Sequence, residues 1–185
     1  MASADLVPSD EGVLYNSWGV FFWNPPNWPS QWTLVPFTLD SHTFSCCEQA
    51  MMYRKAVLFH DADSAQRILA ATTPAEHKRL GRAVSNFDHK LWDAHKNRIV
   101  YEINYAKYSQ HRLFADKLLS TGDKVLVEAS PLDRVWGVGM SPKECVKLAS
   151  LEEAERVWRG ENLLGKALMA VRSKQREERQ QQSQQ

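Results

Sequence analysis

Cysteine is scarce, three residues in a chain of 185. Cys46 and Cys47 are adjacent and Cys145 stands alone, which is neither a disulfide framework nor the paired spacing of a zinc site. The natural setting is reduced and intracellular, cytoplasmic or nuclear, and the adjacent pair reads as small packing residues on a helix. Charge imbalance is also missing. The net charge is +1, so a general basic footprint for nucleic acid is excluded, and any nucleic-acid partner has to be gripped locally. No apolar run approaches the roughly 18 residues of a membrane span. The first residues, MASADLVPSDEGV, carry Asp5, Asp10 and Glu11 and have no apolar segment of the secretory kind. The six histidines show no H-E-x-x-H spacing, and G-x-S-x-G and P-loop motifs are absent. Neither a metal nor another cofactor is expected.

What is present is the composition of a globular protein, 43% hydrophobic and 24% charged. Residues 1–12 read as a flexible arm. Residues 18–37 hold Trp18, Trp23, Trp28 and Trp32 with four prolines, which rules out a long helix and suggests short strands with an aromatic loop. Asp40-Ser41 suits a hairpin turn. Helices are expected over 45–59 and 63–70, then from Thr73 as N-cap with Pro74, Glu76 and a stop at Gly81. A longer helix is expected over 88–107, with Leu91, Trp92, His95, Ile99, Ile103 and Ala106 on one stripe. A helix near 110–120 and a strand over 124–130 follow. Ser150 with Glu153 opens another helix, running to about Gly160. Asn162 can cap a last one, whose Gln-rich end over 173–185 should fray into solvent. There is no internal repeat and no domain-sized linker, so the expectation is one mostly helical α+β domain over 13–172 with a few short strands.

Two places could carry chemistry. Glu48 and Lys55 lie two helical turns apart on one face, about 10 Å along the axis, with Met51 and Met52 between them. They could line a pocket, or they could be ordinary charges on a solvated face. The strand over 124–130 runs into "PLDRVWGVG", which places Asp133, Trp136, Gly137 and Gly139 in a loop at a strand end. An aromatic face there can hold a base, and glycines let backbone N–H groups approach phosphate or sugar. The same loop could equally be a tight turn with Trp136 plugging a core. Arg82 could bind phosphate or pair with an acid, and the periodicity of Trp92 places it in a core.

The blocks "FTLDSHTFSCCEQAMMYRKAVLF", "DADSAQRILAATTPAEHKRLGR", "FDHKLWDAHKNRIVYEI", "LLSTGDKVLVEASPLDRVWGVGM" and "RGENLLGKALMAVR" resemble, in order and spacing, the NADAR or YbiA-like family. Gln49 departs from the histidine usual after the glutamate. The resemblance implies a compact, mostly helical α+β fold and an N-glycosidase. The implied substrate is ADP-ribose on guanine bases of nucleic acid or, alternatively, a phosphoribosylamino-pyrimidine intermediate of riboflavin synthesis. A non-catalytic ADP-ribose-binding module is a third option. It further implies that Glu48, Lys55 and Asp133 are catalytic and that Arg82, Trp92, Trp136 and Gly137 bind substrate.

Overall fold

The computed structural model describes residues 6–184. The elements run β1 (Leu14–Tyr15), β2 (Gly19–Phe22), β3 (Phe37–Leu39), β4 (His42–Phe44), α1 (Cys47–Leu58), α2 (Ala62–Ala70) and α3 (Pro74–Arg82). They continue with α4 (His89–Gln110), α5 (Arg112–Ser120), β5 (Val125–Glu128), α6 (Pro142–Cys145), α7 (Leu151–Val157) and α8 (Leu163–Ser183). The chain is a mostly helical α+β protein with a few short strands. It divides into two units, one of Gln31–Gln110 and one of Met1–Ser30 with His111–Gln185.

In the Gln31–Gln110 unit, β3 and β4 form a hairpin. Asp40 and Ser41 both take positive φ, 51° and 63°, the geometry of the tight turn that matches strand twist. Helix α1 packs against α2, α3 and α4. Cys46 and Cys47 are fully buried at its start, and burial pushes the Cys47 thiol up to about 12, so it is an inert packing group. The N-cap of α3 is Thr73 as expected, accepting from the Glu76 N–H at 3.3 Å. Gly81 does not stop that helix. It is the last residue but one of the helix, and a Cβ at this position would sit 1.9 Å from the Met52 Sδ. Its missing side chain lets α3 close on α1. The buried face of α4 is only partly the expected stripe. Ile99 and Ile103 are buried, but Leu91 is exposed, and the face continues through Asn104, Lys107 and Tyr108. Asn104 exchanges hydrogen bonds with Gln31 at 2.9 and 3.2 Å, so a polar residue holds a place that hydrophobic periodicity could not reveal.

In the other unit, the sheet order is β1-β2-β5, with β2 and β5 parallel. Phe21, Val127, Ala129, Val138, Met140 and Cys145 form its apolar cluster. Of the arm expected over 1–12, residues 1–5 lie outside the described residues. Ser9 bridges Asn27, and Asp10 pairs with Lys117 and accepts from the Tyr15 hydroxyl. The short helix α6, which sequence reasoning missed, carries a complete capping box between Ser141 and Glu144. Helix α7 ends at Val157, short of Gly160. Helix α8 continues to Ser183 where fraying was expected, and Arg176–Asp123 and Arg179–Asp116 ion pairs tether its exposed end at 2.8 and 2.6 Å.

Candidate active site

Glu48 stands in the first turn of α1, where a carboxylate meets the positive end of the helix dipole. It is 4% exposed, so it belongs to an interior and not to the solvated face that spacing also allowed. The turn it occupies is fixed from both sides. The Glu48 N–H donates to the Gln31 carbonyl at 3.0 Å. Gln49 accepts from the Ser45 N–H at 2.7 Å and donates to the Ile68 carbonyl at 3.0 Å. Gln49 therefore ties the start of α1 to the end of α2.

Lys55 is half-buried on the same helix. Its Nζ donates to the Gly81 carbonyl at 2.7 Å, one of the last carbonyls of α3, which have no partner within the helix. The same Nζ lies 4.3 Å from the Phe87 ring centroid and 5.8 Å from that of Trp92. Burial pulls its pKa below the ordinary lysine range. The surroundings of the amine are these two rings and not Met51 and Met52, which the helix spacing places between Glu48 and Lys55. Those methionines are buried, at 5% and 7% exposure, and Met52 packs under Gly81.

Trp92 is half-buried, not a core residue. Phe87 was not foreseen, yet a signal for it exists. Asp88 accepts from the Leu91 N–H at 2.7 Å, as an N-cap does. Phe87 then precedes the cap and Trp92 follows at the fourth helical position, the spacing of a hydrophobic staple. Arg82 is exposed at the end of α3, one residue beyond the carbonyl that Lys55 holds.

Asp133, Trp136 and Gly137 belong to the other unit. Asp133 is partly buried, and its Oδ1 accepts from the Val135 N–H at 2.9 Å and the Trp136 N–H at 2.8 Å. One carboxylate oxygen thus folds the loop around itself, an Asx turn. Trp136 is half-buried, neither a full core plug nor an open platform. Gly137 is buried, and a Cβ there would meet the Glu128 carbonyl at 2.7 Å and the Asp133 carbonyl at 3.0 Å. Packing within the loop is enough to require glycine at that position.

The block RGENLLG is the frame of this loop. The Asn162 N–H donates to the Gly137 carbonyl at 3.2 Å, Leu163 to Val135 at 3.2 Å and Leu164 to Trp136 at 3.1 Å. Gly160 comes so close that a Cβ would lie 2.3 Å from the Gly137 carbonyl. Asn162 heads α8 but does not cap it with its side chain. Its amide instead accepts from the Glu128 N–H at 3.0 Å and donates to the Leu126 carbonyl at 2.9 Å, satisfying the open edge of β5. Its φ of 53° is a left-handed conformation that asparagine tolerates better than most residues.

Among the described residues no group of three or more His, Cys, Asp and Glu side chains could hold a metal ion, and no helix is long and apolar enough to cross a membrane.

A family model described as NADAR domain matches residues 21–176, a span that contains all seven of these positions. The chain is 41% identical over 148 residues to N-glycosidase R617 of Acanthamoeba polyphaga mimivirus, which covers 77% of this chain and 84% of that one. It is 40% identical over 131 residues to Protein irg-1 of Caenorhabditis elegans, covering 70% of this chain and 59% of that protein. The NMR structure of the E. coli protein YbiA shares the fold, with a TM-score of 0.71 over 91% of this chain and 90% of that one at 23% identity. On the family model and the mimivirus relative together, the chain belongs to the NADAR family.

Proposed function

We propose that this chain is an N-glycosidase that removes ADP-ribose from guanine bases of nucleic acid, with Lys55 as its nucleophile. The observation that carries the reading is the setting of Lys55. Its amine is half-buried, lies against two aromatic rings, gives up its proton more readily than an ordinary lysine because of burial, and shares a helix with a buried glutamate. A neutral amine is a nucleophile and an ammonium is not. The name of the mimivirus relative, an N-glycosidase, supports the reaction class.

Ring opening breaks the bond between C1 and the ring oxygen, that oxygen takes a proton, and C1 becomes an electrophilic carbon double-bonded to the guanine nitrogen. The Lys55 Nζ adds to C1, the C1–N bond to guanine breaks with its electron pair going to the leaving nitrogen, and that nitrogen takes a proton. An imine between C1 and Nζ remains. Water adds to C1, Nζ departs as the amine, and ADP-ribose is released as an aldehyde that closes to its ring. No oxidant or reductant is consumed. We assign the proton given to the leaving nitrogen to Glu48, and the stabilisation of positive charge at C1 and activation of water to Asp133. Arg82 is assigned to phosphate. Trp92 and Trp136 are assigned to planar groups of the substrate, and Gly137 to the backbone that borders it.

ADP-ribosylated guanine is preferred as substrate because it carries two planar bases, and two indoles, Trp92 and Trp136, are left partly open. A phosphoribosylamino-pyrimidine carries one. The test is a turnover panel. An oligonucleotide bearing ADP-ribosyl-guanine and a phosphoribosylamino-pyrimidine are each incubated with the protein, and products are separated by chromatography. Free ADP-ribose is expected from the first. Cleavage of the second alone would replace the substrate, and ADP-ribose binding without turnover of either would make the protein a reader.

A further inference from the structure

The Lys55 amine is held by more than its own helix. The Phe87 ring, at 4.3 Å, is the nearer of its two aromatic neighbours, and that ring is itself clamped. Phe59 at the end of α1 meets it edge-on with centroids 5.0 Å apart, and the His89 ring meets it at 4.7 Å and 78°. The segment between α3 and α4 that carries Phe87 is pinned at both ends. On one side the Asp61 carboxylate accepts from the Ser85 N–H and the Ser85 hydroxyl, both at 2.8 Å. A bond from the Ser64 N–H, together with these from Ser85, holds that carboxyl far below the usual carboxylate range. On the other side Asp88 caps α4. Asn86, with a φ of 56°, turns the chain between them. A solvated linker would need none of these ties.

We propose that Phe87 is a positioning residue for the reaction, its ring face fixing where the Lys55 Nζ stands when it meets the sugar carbon. This role rests on the function proposed above. The Gly81 carbonyl accepts a hydrogen bond from the amine, and the Phe87 face at 4.3 Å restricts its remaining freedom. An amine whose place is fixed before the substrate arrives loses less entropy in reaching C1. His89 is the titratable group in contact with the Phe87 ring, and Asp88 within the segment and Asp61 bonded to it are its charged groups.

The test compares Phe87→Leu, which keeps apolar cover without a π face, with Phe87→Tyr, which keeps the ring. Two readouts are taken. One is kcat and KM for the substrate. The other is the Lys55 pKa, followed by NMR in protein carrying isotope-labelled lysine, with Lys55→Arg assigning the signal. Phe87→Leu is expected to lower kcat about tenfold or more with KM within threefold. It should also move the Lys55 pKa down by about half a unit, since a ring face favours the ammonium. Phe87→Tyr should restore both. Unchanged kcat and pKa in Phe87→Leu overturn the proposal. If Phe87→Leu does not fold, Phe87→Met takes its place with the same expectations, and unchanged kcat and pKa in Phe87→Met overturn the proposal. The pKa can be read whether or not the wild-type chain turns over substrate. Loss of the glycosidase reading and loss of the Phe87 role are therefore separate results.

Discussion

Gly81→Ala tests the contact that brings α3 to Lys55. An added Cβ would lie 1.9 Å from the Met52 Sδ, 2.6 Å from its Cγ and 3.0 Å from its Cβ. Ordinary contact between such atoms is about 3.5–4.0 Å, so the sulfur would have to retreat by more than an ångström. Met52 is 7% exposed and has little room to do so. Its Cβ moves only with the α1 backbone, so a rotamer change cannot clear the whole clash. Overpacking of this kind costs about 1–3 kcal/mol, and the upper end applies here. Alanine in a helix returns about 1 kcal/mol against glycine. The net expectation is a loss of about 2 kcal/mol, which for a chain of this size is a drop in Tm of roughly 4–8 °C. Urea unfolding should show a lower midpoint at unchanged slope. Met52→Ala alone should also destabilise, by about 2–5 kcal/mol. In the double variant the freed space should absorb the new methyl group, so the two losses should fall short of adding by 1 kcal/mol or more. A Gly81→Ala protein as stable as wild type, or an additive cycle, would refute the packing account and leave Gly81 as a mere helix stop.

Three further outcomes follow from the geometry. Asn162→Ala strands the Glu128 N–H and the Leu126 carbonyl and places alanine at a φ of 53°; a loss of about 3 kcal/mol or more is expected in urea melts, with Asn162→Gly milder, and an alanine variant within 1 kcal/mol of wild type contradicts it. Asp133→Asn keeps an oxygen for the Val135 and Trp136 N–H groups, so circular dichroism and melting should be near wild type while kcat/KM falls about 10²–10⁴-fold; full activity removes Asp133 from the chemistry. Cys47 has its pKa raised from 9.0 to about 12, so its burial supports the fold below pH 9 and that support is lost as pH climbs toward 12. Compared with Cys47→Ala, the wild-type stability should decline by about 2 kcal/mol more between pH 9 and pH 11; parallel pH profiles would show that the thiol is solvated.

The sequence made the helices legible because their signals are local. Asp61 and Thr73 cap α2 and α3 through their own side chains, and the turn at Asp40-Ser41 takes the backbone angles its position calls for. Misreadings arose where a residue serves a distant partner. Gly81 resembles a stop, yet its use is the approach of α1. Asn162 looks like a cap, but its amide reaches 36 residues back to β5. Asn104 and Lys107 are buried polar groups on a face that apolar periodicity would fill with other residues. At the candidate site, spacing paired Glu48 with Lys55 on one helix face but could not distinguish solvated charges from buried ones. Glu48 is buried, and the rings around Lys55 come from the Phe87 segment and from Trp92 of α4, which no period within α1 encodes. Phe87 itself was readable only through the staple around Asp88.

The central claim is that the Lys55 amine forms a bond to the sugar while the N-glycosidic bond is broken. Borohydride added during turnover of ADP-ribosyl-guanine reduces an imine to a stable secondary amine, and mass spectrometry of the digested protein locates it. The account predicts an adduct of ADP-ribose on the peptide containing Lys55, no adduct in Lys55→Arg, and no turnover by that variant although it keeps its positive charge. Turnover by wild type with no adduct, together with an active Lys55→Arg, would contradict it.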